Sequence, residues 1–432
     1  MISKEAYSEA FVWLWLPGAI KPVVAGKLTA EGEYLFFNYG RSYLARDNAI
    51  SLYSPELPLQ SGSLPLVPGL KMPSCIRDAA PDAWGRRVII NRKLGIRGAK
   101  GEVDQLDELT YLLESGSDRI GALDFQRSAT EYVARRASNA TLEQLVSAAE
   151  YIELGEPLNP ELDQALLHGT SLGGARPKAQ IDDENKKYIA KFSSTTDTYS
   201  IVKAEFIAMR LASLCGLNVA NVSLTRSLHK DVLLIERFDR IHTETGWARK
   251  IMVSALTLLA LDEMMARYAS YQDLAELIRH RFVDASATLR ELFSRLVFNI
   301  LCGNTDDHAR NHAAFWDGQS LRLTPAYDIC PQNRTGNEAS QAMLIVDNDR
   351  MSRISGCLKA SAHFLLSREE AAAIVEQQLA TITTHWNTVC NEAELSTTDR
   401  VFLWGRQFLN PYAFEDLDDD VAYLKSMAAT LR

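Results

Sequence analysis

The sequence predicts an α+β protein with a strand-rich front, a mixed middle and a helical back half. Short apolar, aromatic runs cut by Pro and Gly fill the first hundred residues, which is how buried strands read. Apolar residues at helical spacing behind capping signals dominate after about residue 240. Composition agrees with a globular chain: 47% of the 432 residues are hydrophobic and 23% charged, which excludes global disorder. A chain of this length holds roughly two to four domains and can bury its cores without metal or disulfide staples.

In order, Val12-Trp13-Leu14-Trp15-Leu16 is expected as a buried strand ended by Pro17-Gly18. Val23 to Leu28 and Tyr34 to Phe37 read as two more, with Glu31-Gly32-Glu33 as their turn. A Pro- and Ser-rich stretch from Ser54 to Pro73 precedes a loop-to-helix transition at Ile76 to Arg87. Thr141-Leu142-Glu143-Gln144 is a capping box that opens a helix stopped by Gly155 and Pro157. Strands are expected at Ala179-Gln180-Ile181, Lys187 to Phe192 and Val232 to Ile235, with a helix from Val202 to Leu214. Thr288-Leu289-Arg290-Glu291 reads as the cap of an apolar helix that Gly303 ends, and Ser367-Arg368-Glu369-Glu370 caps another.

Lys and Arg number 46 and Asp and Glu 55, so the formal net charge is −9. That balance argues against a protein that coats nucleic acid over its whole surface. Six scattered cysteines form no CxxC pair, which points to reduced thiols. The N-terminus has no signal-peptide layout, and its longest apolar run falls far short of the roughly 20 residues of a membrane span. A cytoplasmic protein without membrane contact is expected.

The sharpest chemical constellation is Asn304-Thr305-Asp306-Asp307-His308-Ala309-Arg310-Asn311, in polar sequence after the apolar helix. Phosphoryl transfer needs an acid to orient the attacking hydroxyl and oxygen ligands to hold magnesium on the phosphates. Protein kinases supply these as an Asp, an Asn five positions later, and a further Asp beyond a hairpin. Asp306 and Asn311 have that spacing, Ala313 to Leu323 reads as the hairpin around Asp317-Gly318, and Asp328 follows. His308 and His312 are spaced like two metal ligands on a helical turn, a weaker signal without HExxH. Upstream, Thr170-Ser171-Leu172-Gly173-Gly174-Ala175-Arg176-Pro177-Lys178 is a small-residue loop whose backbone N–H groups could approach phosphate closely. Lys191 ends an apolar strand where a kinase carries its phosphate-binding lysine, with Glu205 on the next helix as its candidate partner. Glu236-Arg237-Phe238-Asp239-Arg240 follows a strand where a kinase hinge would meet adenine; otherwise it is a charged strand end.

Together these pieces resemble the HipA-like serine/threonine-kinase toxins of bacterial type II toxin–antitoxin modules. The resemblance rests on Pro81-Asp82-Ala83-Trp84-Gly85-Arg86, the loop from Ser171 to Lys178, Glu236 to Arg240, Asp306 to Asn311, and Tyr327-Asp328-Ile329. It implies a two-lobed protein-kinase-like α+β fold with an extra β-rich N-terminal subdomain. On that pattern residues 1–150 form the subdomain with trailing helices, 151–242 the kinase N-lobe, and 243–432 an all-helical C-terminal lobe. It makes Asp306 the catalytic base, and Asn311 and Asp328 the Mg2+ ligands. Lys191, Lys178, Gly173, Gly174, Ala175, His308 and Asn311 bind ATP, with Glu236, Phe238 and Asp239 at the hinge. Ser171 is the expected autophosphorylation site, with Thr170 as the neighbouring hydroxyl. Asp307 departs from the pattern, standing where many relatives have a smaller residue, and so does Arg176-Pro177. Family members with known targets phosphorylate aminoacyl-tRNA synthetases and are held by a DNA-binding HipB-type antitoxin, so DNA is expected only through that complex. A small-molecule kinase and a non-catalytic nucleotide-binding regulator are the rival readings.

Overall fold

The computed structural model describes residues 7–94, 106–135, 140–154, 156, 162, 176–194, 197–334 and 336–429. Alternating apolar residues build a four-stranded sheet first: β1 (Glu9–Leu14), β2 (Val23–Glu31), β3 (Tyr34–Tyr39) and β4 (Leu123–Gln126), in the order β3-β2-β1-β4. β1 lies antiparallel to both β2 and β4. The expected turn at Gly32 is there, at φ 63, a left-handed backbone that glycine adopts without Cβ strain.

A second sheet holds β5 (Lys178–Asp182), β6 (Lys187–Phe192), β7 (Val222–Ser227) and β8 (Lys230–Glu236), ordered β5-β6-β8-β7. Its apolar face packs with two helices, Ala83–Leu94 and Leu142–Leu154, in one core containing Trp84, Val88, Leu145, Ala149, Ala179, Phe192 and Val232. Trp84 is fully buried and donates its indole N–H to the Lys178 carbonyl at 3.1 Å, which satisfies the ring's one polar atom. Thr141 and Gln144 exchange both capping-box hydrogen bonds, at 3.3 and 2.9 Å, as their spacing predicts.

Three short strands follow, β9 (Arg240–Thr243), β10 (Gly246–Arg249) and β11 (Ile251–Ser254), in a region where the sequence shows mainly helical signals. Strands of four residues are too brief to declare a period of two. The back half is otherwise helical, with helices Tyr271–Arg281, Ala285–Cys302 and Arg368–Glu392 and the expected hairpin of β12 (Ala313–Trp316) and β13 (Leu321–Leu323). Ser367 and Glu370 form the predicted capping box. The box expected at Thr288 is a correction: the helix starts one turn earlier, with Asp284 at its N-cap, and Glu291 pairs with Arg295 at 2.7 Å instead.

The chain divides into two compact units, Met1–Thr196 with Thr225–Val253 and Phe315–Gln319, and Asp197–Leu224 with Ser254–Ala314 and Ser320–Arg432. The expected boundaries at 150 and 242 do not coincide with them. The helix Ile201–Leu214 belongs to the second unit, while the front sheet and most of the second sheet share the first. All six cysteines are buried free thiols. Among the described residues no helix is long and apolar enough to cross a membrane.

Candidate active site

The loop that carries the acids is placed by the end of the helix Ala285–Cys302. Gly303 stands at its C-cap with φ 74, and a Cβ there would meet the Gln407 carbonyl oxygen at 2.6 Å. Only glycine fits both the left-handed turn and that close approach. Asn304 then bonds back to Asn299 through both backbone, at 2.8 Å, and side chain, at 3.0 Å. The chain leaves the helix in one fixed direction.

From there the loop folds on itself. His308 N–H donates to the Asp306 carbonyl at 2.9 Å, and Asn311 N–H to the His308 carbonyl at 2.8 Å. The Asn311 side-chain amide donates to the Asp306 carbonyl at 3.2 Å, so its amide oxygen is the atom left for a cation. Asp328 adopts a left-handed backbone, φ 59, uncommon for a residue with a side chain and tolerated best by Asp and Asn. The preceding Tyr327 fixes that turn by donating its hydroxyl to the Arg310 carbonyl at 2.7 Å.

Asp306 reaches solvent, yet its carboxyl is raised above the usual carboxylate range. Partial desolvation is the main cause and the negative charge of Asp328 adds to it, while His308 opposes them. Carboxylate and amide oxygens are hard donors of the kind a divalent cation such as Mg2+ takes. The residues present therefore fit a Mg2+ held by Asn311 and Asp328.

In the first unit, Lys178 on β5 stands directly opposite Lys191 on β6, and both are buried, at 4% and 8% exposure. Glu236 ends β8 opposite Tyr188, with its carboxylate on Lys186 at 2.8 Å. The Phe238 ring packs edge-on to Phe315, with centroids 6.0 Å apart. Lys191 and Glu205 fall in different units. Thr170, Ser171, Gly173, Gly174 and Ala175 lie outside the described residues.

Asp239 shows what the sequence reading missed. Its buried carboxylate accepts from Arg237 at 3.0 and 2.9 Å, from Arg240 at 2.7 Å and from the Gly121 N–H at 2.8 Å. Burial alone would raise it, but the two guanidiniums bring it down to about 2. Asp118 is held well below the ordinary range despite burial, by Arg240, Arg237, Arg249 and Lys187. Arg237 also donates to the Asp118 and Arg119 carbonyls, at 3.1 and 2.7 Å, and Arg249 stacks on Trp15 at 3.5 Å. The charged strand end is thus an internal clamp onto residues 117–121, and the Asp239 side chain is committed to it. The cluster of Arg237, Asp239 and Arg240 at a strand end was the available signal; its partner segment, over a hundred positions away, gave none.

The fold is that of an α+β, protein-kinase-like protein with a β-rich N-terminal addition, and a solved chain from Shewanella oneidensis has the same architecture. That structure, HipA with HipB and its operator DNA, matches with a TM-score of 0.64 at 18% identity, covering 98% of this chain and 95% of that one. The family model for the HipA-like C-terminal domain matches residues 170–386, and that for the HipA N-terminal domain residues 19–126. The chain belongs to the HipA-like family. The Shewanella oneidensis serine/threonine-protein kinase toxin HipA is 25% identical over 203 residues, 41% of this chain and 47% of that protein. A Sinorhizobium fredii protein, Y4mE, whose name places it among the kinases, is 29% identical over 149 residues, 33% of this chain and 34% of its own. The matches thus span between a third and a half of the length of these relatives.

Proposed function

We propose that the chain is an ATP-dependent serine/threonine-protein kinase and the toxin of a HipBA-like module. In this reading it inhibits growth by phosphorylating a translation component such as an aminoacyl-tRNA synthetase. The observation that carries the reading is the acid set of the loop: Asp306 raised by burial and by Asp328, with Asn311 five positions on. The relatives named as kinases support the reaction class. The Shewanella complex supports a HipB-type antitoxin as partner, with DNA reached through it.

Asp306 accepts a hydrogen bond from the acceptor hydroxyl and turns its oxygen toward the γ-phosphate. Its raised pKa makes it a stronger proton acceptor than an ordinary Asp as the hydroxyl loses its proton. Asn311 and Asp328 would hold Mg2+, which when bound with ATP neutralises charge on the phosphates. Lys178 and Lys191 contribute positive charge to the same end, and Glu236 and Phe238 offer backbone groups to adenine. Positioning and charge neutralisation carry most of the rate. Ser171 is the site of a self-limiting autophosphorylation, since roughly −1.5 to −2 added charges would repel the ATP phosphates.

The test uses radiolabelled ATP, Mg2+ and the purified chain, followed by peptide mapping and phosphoproteomics of expressing cells. Label on Ser171 and on a serine or threonine of a translation protein, both absent with Asp306→Asn, is the expected result. Label transferred only to small molecules would establish the metabolic-kinase reading, and none at all the regulator.

A further inference from the structure

Directly behind the loop acids lies a second set of polar side chains that the reaction does not use. Asp307 follows Asp306 and His312 follows Asn311, so the second pair repeats the five-residue spacing of the first, one position along. His312 Nε2 lies 3.0 Å from Asp307 Oδ1, with both side chains 3% exposed. The fully buried Tyr271, at the start of the helix Tyr271–Arg281, donates its hydroxyl to the other Asp307 oxygen. That hydroxyl is also 3.2 Å from His312 Nε2, and the two rings meet edge to face at 5.4 Å. The His312 carbonyl is held in turn by the Ala255 N–H at 2.7 Å.

We infer that Asp307, His312 and Tyr271 form a clasp that sets the separation of Asp306 and Asn311, and that all three are positioning residues for phosphoryl transfer. The inference rests on the kinase reading above. The bond between residues 307 and 312 closes the loop across its two stems, and each stem carries one of the working groups on the adjacent residue. Tyr271 bolts the closed loop to a helix. A buried acid, imidazole and phenol are costly to desolvate, and apolar side chains of similar volume would pack there at no less stability. His312 Nδ1 has no partner among the described residues, so the site is not even fully satisfied. What the polar set adds over an apolar one is direction: hydrogen bonds fix the register of two stems where packing alone would let them slide.

The clasp is tested with Asp307→Ala, His312→Phe, the double variant and Tyr271→Phe in the full chain. Two measurements are made: steady-state kinetics, and amide hydrogen exchange of residues 305–312 without ligand. Asp307→Ala should lower kcat by about ten- to hundredfold, the scale of a misplaced reacting group. KM for ATP should stay within about twofold, and exchange across the loop should quicken. The double variant should be no faster than Asp307→Ala, because both lack the one bond that ties the two stems together. Tyr271→Phe, which removes one oxygen and keeps the packing, tests the same point should Asp307→Ala fail to fold. Wild-type kcat at a temperature where every variant is folded, or unchanged exchange in the loop, overturns the clasp. Wild-type protein without phosphotransfer overturns the kinase reading instead, and the exchange data still decide whether the clasp holds the loop.

Discussion

Two groups of aspartates in this molecule have opposite fates. Asp118 and Asp239 lie among arginines that hold them below the ordinary carboxylate range against the cost of burial. Asp306 is pushed up instead, by partial desolvation first and by the negative charge of Asp328 in addition. The first group has every charge answered from within the chain, so it binds the fold together and has nothing left to offer a ligand. In the second, the charge of Asp328 adds to the cost that desolvation puts on an ionised Asp306. An acid whose environment favours its charge is structural here; one whose environment penalises it is the candidate for chemistry.

The most disruptive way to sharpen this contrast is Asp239→Ala. It removes one of the two carboxylates that Arg237 and Arg240, both about 1% exposed, share, and leaves them only Asp118. Breaking a buried pair from one side costs about 3–5 kcal/mol, so a large drop in melting temperature is expected by calorimetry. A melting temperature within a degree or two of wild type would break the comparison.

Next in size is Asp306→Asn, which should slow phosphoryl transfer by at least about a hundredfold, the scale of removing one preorganised group. ATP affinity, followed by calorimetry, should barely move, because the base meets the acceptor rather than the nucleotide. Asp328→Ala should cost as much in rate and weaken Mg2+-dependent ATP binding as well.

The same Asp306→Asn variant should be more stable than wild type at neutral pH, a smaller effect of opposite sign to that of Asp239→Ala. A carboxyl raised in the fold penalises the ionised state; the penalty is absent below the ordinary Asp range and complete above the raised value. The variant's advantage in melting temperature should therefore vanish as pH falls toward 3. Asp239, lowered to about 2, contributes stability that is complete above the unfolded value and is lost as pH falls through about 2. Wild-type melts from pH 7 to 2 should show that loss at the acid end, and Asp239→Asn should not. The smallest effect expected is on Asp306 itself: with Asp328→Asn, its titration in metal-free protein should shift down, as carbonyl-region NMR would read.

What the sequence made legible follows from distance along the chain. The acids, Asn311, the hairpin, Gly303 and the Ser367 box are local patterns, each readable within a few residues. The clamp on Asp118 was not, because neither half carries a mark of the other. The early start of the helix at Asp284 escaped because a left-handed Asp at the N-cap, φ 53, is an unusual opening, and Thr288 offered a conventional one. Asp307 and His312 were visible as polar residues at odd positions. Only the fold shows that they answer each other, when the spacing of His308 and His312 pointed to metal.

The reach of the Arg237 clamp also bears on how the protein is born. Arg237 grips the carbonyls of Asp118 and Arg119 across 119 and 118 positions of sequence. A ribosome adding about 5–20 residues per second takes on the order of ten seconds to span that gap. Through that interval the emerging front half carries an acid and two carbonyls that still lack their arginine partners. A chain cut short of residue 237 lacks those contacts, and limited proteolysis should degrade it faster than the full chain.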